Sequence, residues 1–208
     1  MRSLVLLVLL WPWCVAASAA DDLAPPQRLL QETAESLRHV LQAQRSLLAA
    51  EPARLHELVR ERLTPHVDLA RLSALAVGRS WRTATAEQRA RFATEFERLL
   101  VRTYATGLLA VDDFEIRHPP QRIPPEADDV LVRTEVLRPR APPVPVDYRM
   151  HRAGGRWRVY DVVIEGISFA STYRTSFEQE VRQAGLDGLI DRLTELNAAG
   201  AEKSLPAS

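Results

Sequence analysis

VPVDYRMHRAGGRWRVYDVVI, residues 144–164, decides the fold. Val144, Val146, Tyr148 and Met150 recur with a period of two, the spacing of a strand with one apolar face. Ala153-Gly154-Gly155 then marks a hairpin turn, and Trp157 to Ile164 reads as the return strand. Upstream, Phe114 and Ile116 alternate with charged residues, as do Val130, Val132, Thr134 and Val136. Prolines 119, 120, 124 and 125, then 139, 142, 143 and 145, fill the remaining connections and strand edges. Gly166 breaks the last strand. The expectation is a four-stranded antiparallel sheet.

Helical periodicity flanks that sheet on both sides. Leu30, Leu37, Leu41 and Leu48 place a helix over Gln27 to Ala50, and Leu55, Leu58, Val59 and Leu63 a second one after Pro52. Thr64-Pro65 ends it. Asp68 has the chemistry of an N-cap for a third helix, which Gly78 closes. Thr85-Ala86-Glu87-Gln88 has the spacing of a capping box. Phe92, Phe96, Leu99, Leu100, Tyr104 and Leu108 then share one face of the helix that follows. After the sheet, Ile167 to Ala184 reads as helix, Gly185 stops it, and Leu186 to Asn197 forms the last one. A sheet with helices on one face is an α+β layer architecture. A curved sheet of this kind would leave an apolar hollow between the layers.

The ends of the chain read differently from its middle. Arg2, the apolar run from Leu4 to Leu10 and the small residues Ala17-Ser18-Ala19-Ala20 form a secretory signal peptide over residues 1–20. The run is about half of the ~20 residues that a membrane-spanning helix needs. Residues 21–197 are expected to form a single domain with helical and sheet subdomains, and 198–208 a flexible tail. Cys14 is the only cysteine and leaves with the signal, so the exported chain carries no disulfide and no thiolate site. The charges balance, 27 basic against 27 acidic residues. No basic stripe for nucleic acid stands out.

Three stretches carry a resemblance. LSALAVGRSWRTATAEQRARFATEFERLLVRTYATGL runs from Leu72 to Leu108, VDYRM from Val146 to Met150, and GRWRVYDVVIEGISFASTYRTSFEQEVRQAGLDGLIDRL from Gly155 to Leu193. Together they resemble the MlaC family, the periplasmic component of the Mla phospholipid transport system, also called the toluene-tolerance auxiliary family. The resemblance implies a sheet of the nuclear transport factor class joined to a helical subdomain. It implies a diacyl phospholipid as ligand, with its tails in the pocket and its head group outside. The implied partners are an outer-membrane lipoprotein associated with porins and an inner-membrane ABC transporter with a periplasmic lipid-binding ring. The implied role is to maintain outer-membrane lipid asymmetry.

Phe96, Leu100 and Tyr104 form a stripe that serves either as ordinary core or as a cavity wall. Val132, Val146, Tyr148, Val159 and Val163 are candidates for the opposite wall. Ile167 and Phe169 stand at the strand-to-helix change, where a pocket mouth is expected. A slip of one residue reverses every strand assignment. Asp161 and Glu165 read either as catalytic carboxylates or as partners of Arg174, or another Arg of the following helix, that fix the strand-to-helix corner; the structural role is favoured. The five histidines, at 39, 56, 66, 118 and 151, lack ligand spacing, and no HExxH, GxSxG or Walker pattern occurs. No metal, cofactor or catalytic residue is expected. A lipid carrier is the leading reading. The alternatives are a small acid-base enzyme on a cone-shaped sheet, for which Asp161 is the one carboxylate to consider, and a periplasmic adaptor with a filled core.

Overall fold

Strand pairing organises the second half of the chain. The computed structural model describes residues 23–110 and 113–199. The expected signal peptide, Asp112 and the tail from residue 200 lie outside the described residues. β1 (Glu115–Arg117), β2 (Asp129–Arg138), β3 (Ala141–Ala153), β4 (Arg156–Ile164) and β5 (Ile167–Ser168) form one antiparallel sheet in sequential order. The expectation of a curved four-stranded sheet is therefore corrected. The sheet has five strands, and it is neither closed nor strongly curled, with β1 and β5 as its two edges.

The fifth strand comes from a turn that reads as a strand break in the sequence. Glu165 and Gly166 both have positive φ, 49° and 85°, and stand between the paired residues Ile164 and Ile167. This is the backbone of a two-residue hairpin, which turns the chain back for two residues before α7 begins. Ile167 is thus strand and not the first residue of a helix. Gly154-Gly155 makes the same kind of turn between Ala153 and Arg156, with φ of 57° and 77°.

One irregularity in β4 sets which residues face the helices. Arg149 pairs with Asp161 but Met150 pairs with Val159, so Tyr160 is an extra residue in β4. Such a bulge shifts the side-chain alternation by one. Val162 pairs Tyr148, and Val159 pairs Met150, on the helix-facing side. Val163 pairs Asp147 and stands on the other side.

The helices are α1 (Pro25–Ala43), α2 (Arg45–Ala50), α3 (Pro52–Leu63), α4 (Leu69–Val77), α5 (Ser80–Thr83), α6 (Ala86–Ala110) and α7 (Phe169–Ala198). Pro25 opens α1 at the position where a missing N–H costs nothing. The single helix expected over Gln27 to Ala50 is broken at Gln44, which is non-helical at φ −122° and ψ 19°. The break lets Leu48 pack with Leu55 beneath it. Asp68 caps α4 through its carboxylate, which accepts from the Arg71 N–H at 2.9 Å. The capping box of α6 is present in both directions, Gln88 N–H to Thr85 Oγ1 at 3.1 Å and Thr85 N–H to Gln88 Oε1 at 3.0 Å. Gly185 divides α7 with φ 74° and ψ 178°, a conformation essentially restricted to glycine.

The apolar side chains form three cores instead of one. The largest joins α4, α6 and α7, where Phe92, Phe96, Tyr173 and Phe177 meet in edge and tilted contacts with centroids 5.2–5.6 Å apart. A second joins α1, α3 and α6 around Leu37, Leu55 and Val101. A third holds the sheet to α1 through Leu30, Val132, Met150 and Val159. Each fully buried side chain of this size contributes about 1.5–3 kcal/mol. Asp68 ties the helical layer to the sheet, its N–H donating to the Val159 carbonyl at 2.7 Å.

Candidate functional site

Where the three cores meet, the packing does not close. Two apolar lobes lie there, of about 230 Å³ and 330 Å³. They share Leu63, Val67, Leu108, Val159 and Val162 as a common wall. The smaller lobe runs between α3, α4, α6 and β4. The larger runs between α1 and the sheet, reaching Ile116, Val136 and Tyr148. Together they fall within the ~300–1,000 Å³ of typical ligand pockets.

Two carboxylates border the smaller lobe, and both are engaged. Asp161 is buried, and its carboxylate accepts from Ser168 Oγ at 2.6 Å and from the Ala170 N–H at 3.1 Å. The carboxylate thus sits at the N-terminus of α7, where unpaired N–H groups and the helix dipole favour negative charge. Arg149 lies 3.7 Å away on β3. Arg174 instead donates to the Leu75 carbonyl, at 2.6 and 3.0 Å. The polar corner is therefore fixed by Ser168 and the helix end, not by Arg174. Glu97 accepts from Thr64 Oγ1 at 2.8 Å and has Arg60 at 3.9 Å. Among the described residues no group of three His, Cys, Asp or Glu side chains is placed to hold a metal.

Tyrosines mark the walls. Tyr148 borders the larger lobe, and burial pushes its phenol up to about 12. Tyr173 donates to the Tyr104 hydroxyl at 3.1 Å; burial first, then this contact, holds its phenol well above the ordinary range. Tyr104 packs against Phe169 in a tilted contact, with centroids 4.6 Å apart and ring planes at 56°. Both rings line the smaller lobe, and Tyr104 is 44% exposed.

The ten residues singled out from sequence are distributed unevenly. Leu100, Tyr104, Val159 and Phe169 line the smaller lobe, and Tyr148 and Val159 the larger. Phe96 is fully buried in the aromatic core behind the wall. Val132 and Val146 are buried in the sheet and border neither lobe. Val163 lies on the opposite face, beside Asp147 and Arg149. Ile167 is 65% exposed, close in sequence to Phe169 but outside both lobes. The sequence reading did not assign Leu63, Val67 or Val162 to the site, and placed Leu108 only on the helix stripe. The bulge at Tyr160 brings Val162 to the wall, and alternation alone gives no sign of it.

Comparison with known proteins gives a consistent picture. Residues 31–195 match the family model described as MlaC protein. The chain is 25% identical over 173 residues to the intermembrane phospholipid transport system binding protein MlaC of Haemophilus influenzae, covering 82% of this chain and 81% of that one. It is 29% identical over 192 residues to the toluene tolerance protein ttg2D of Pseudomonas putida, covering 89% and 86%. Among solved structures it is similar to a phospholipid-binding protein from Ralstonia solanacearum in complex with a phospholipid. That similarity has a TM-score of 0.77 and 30% identity, over 85% of this chain and 99% of the other.

Proposed function

The chain belongs to the MlaC family of periplasmic lipid-binding transport proteins, and we propose that its cargo is a diacyl phospholipid held with one tail in each apolar lobe. The observation that carries this reading is the pair of joined lobes, each walled mainly by aliphatic and aromatic side chains. A protein acting only as an adaptor has no use for such space, and empty apolar volume forfeits packing energy. The relative from Ralstonia solanacearum, which binds a phospholipid, supports the same cargo. The chain acts as a carrier and not as an enzyme.

The physics of the task is clear. A diacyl lipid exposes on the order of 30 methylenes, and at ~0.8 kcal/mol each its free passage through water costs about 24 kcal/mol. A carrier need only offer the tails surroundings close to bilayer hydrocarbon, so that exchange is nearly neutral. Direction then comes from the partners. We assign these as an outer-membrane lipoprotein-porin complex and an inner-membrane ABC transporter with a periplasmic lipid-binding ring. The finer organisation belongs to the same proposal: a signal peptide over residues 1–20, removed on export, and a lipid-binding domain over 21–197.

Native mass spectrometry of the exported protein after gentle extraction tests the carrier reading. A mass increment of one phospholipid per chain is expected. Folded protein that carries no lipid, and takes none from vesicles, would remove the carrier reading.

A further inference from the structure

A third hollow, of about 310 Å³, adjoins the larger apolar lobe across Ala34, Phe114 and Ile116, which line both. Its chemistry is the opposite of its neighbour's. Gln31, Glu35 and Arg38 line it from α1, and their spacing puts them on one helix face. Leu30, Leu37 and Leu41 of the same helix are buried. Asp113 and Glu115 face the basin from the start of the sheet. The two hollows thus share one wall, with apolar surroundings on one side and polar ones on the other.

Among the described residues, the basin holds one cation against three carboxylates, Arg38 against Glu35, Asp113 and Glu115. Arg38 is loosely held. Its Nη1 lies 3.8 Å from Asp113 Oδ1 and 3.5 Å from Gln42 Oε1. Charge-assisted hydrogen bonds are shorter, about 2.7–2.9 Å. The guanidinium can therefore turn to a phosphate without breaking a short contact among the described residues. A purely anionic head group would add negative charge to a basin already negative in sum. A phosphoethanolamine head group offers a phosphate to Arg38 and an ammonium with three donors to the carboxylates.

We propose that this basin receives the head group of a zwitterionic diacyl phospholipid, phosphate on Arg38 and ammonium among Glu35, Asp113 and Glu115. The inference rests on the carrier reading above and adds a head-group preference to it.

The test uses the mature protein, stripped of lipid and incubated with vesicles of equal phosphatidylethanolamine and phosphatidylglycerol. Bound lipids are then quantified on the re-isolated, folded protein. Because these contacts are solvent-exposed, an enrichment of phosphatidylethanolamine of about threefold is expected. It should shrink as salt approaches about 1 M. Arg38→Gln should lower the uptake of both lipids per folded protein, since both carry the phosphate, without lowering the enrichment. The combined variant Glu35→Gln, Asp113→Asn, Glu115→Gln should bring it close to one. The ratio is read only on loaded protein, so a loss of folded yield does not imitate the effect. Equal uptake of the two lipids by the wild type, or full enrichment in the combined variant, would overturn the head-group site and leave the carrier reading standing. Uptake of neither lipid would overturn both.

Discussion

Leu100→Trp separates a cavity wall from an ordinary core. Leu100 is half-buried on α6; it packs against the largest core on one side and lines the smaller lobe on the other. The substitution adds roughly six heavy atoms, the space of about four methylenes, and at ~0.8 kcal/mol each removes about 3 kcal/mol of tail burial. A change of about 3 kcal/mol is roughly a hundredfold in affinity. The lipid-free fold should lose little, because the ring enters space that is already open. In a closed core the same ring would overpack, at about 1–3 kcal/mol. For a domain of this size each kcal/mol lowers the melting temperature by ~2–4 °C. The assay is phospholipid per folded protein, alongside thermal melting of the stripped form. Stripping matters because bound lipid raises apparent stability by linkage. Normal lipid content with a lowered melting temperature would refute the reasoning and return Leu100 to the core.

Three further outcomes follow from the geometry. Asp161→Ala should cost about 1–3 kcal/mol in urea unfolding, because Ser168 and the Ala170 N–H lose their buried acceptor; Asp161→Asn, which keeps an accepting oxygen, should cost less. Equal effects of the two would show that the helix end does not need that acceptor. Tyr148 has its phenol raised to about 12 in the folded state, against 10.0 in the reference state. The folded chain therefore keeps a proton that the unfolded chain loses, so this contribution is intact below pH 10 and is lost as the pH rises towards 12. Tyr148→Phe should flatten that part of the stability profile, and an unchanged profile would count against the buried phenol. Gly107→Ala should stabilise by about 0.5–1 kcal/mol, since this helical position has open space for a methyl group. Gly188→Ala should destabilise, because its Cβ would collide with that of Ala184; melting curves that rank the two the other way would contradict the packing.

Much of this protein is determined by sequence alone. The period-two runs fix the four longer strands, and the caps at Asp68 and Thr85-Gln88 start α4 and α6 where their side chains can satisfy free N–H groups. These signals are local, carried by neighbours within one helical turn or one pleat, so a linear reading finds them. The motif stretches carry the family for the same reason, since each holds its residues in order along the chain. Three decisions belong to the tertiary structure. Gly166 reads as a break because a hairpin and a chain end look alike until Ile167 is seen paired with Ile164. The phase of β4 changes at Tyr160, where the sheet takes in one extra residue; Val162 then faces the helices and Val163 faces away. The hydrophobicity of both valines is identical, so only the pairing distinguishes them. The lobes themselves depend on how three cores fail to meet. Periodicity reports which face of a helix is apolar, but whether that face touches side chains or open space is set by elements far apart in the sequence. Phe96 and Leu100 share one stripe, yet Phe96 is enclosed by Phe92, Tyr173 and Phe177 while Leu100 borders the lobe.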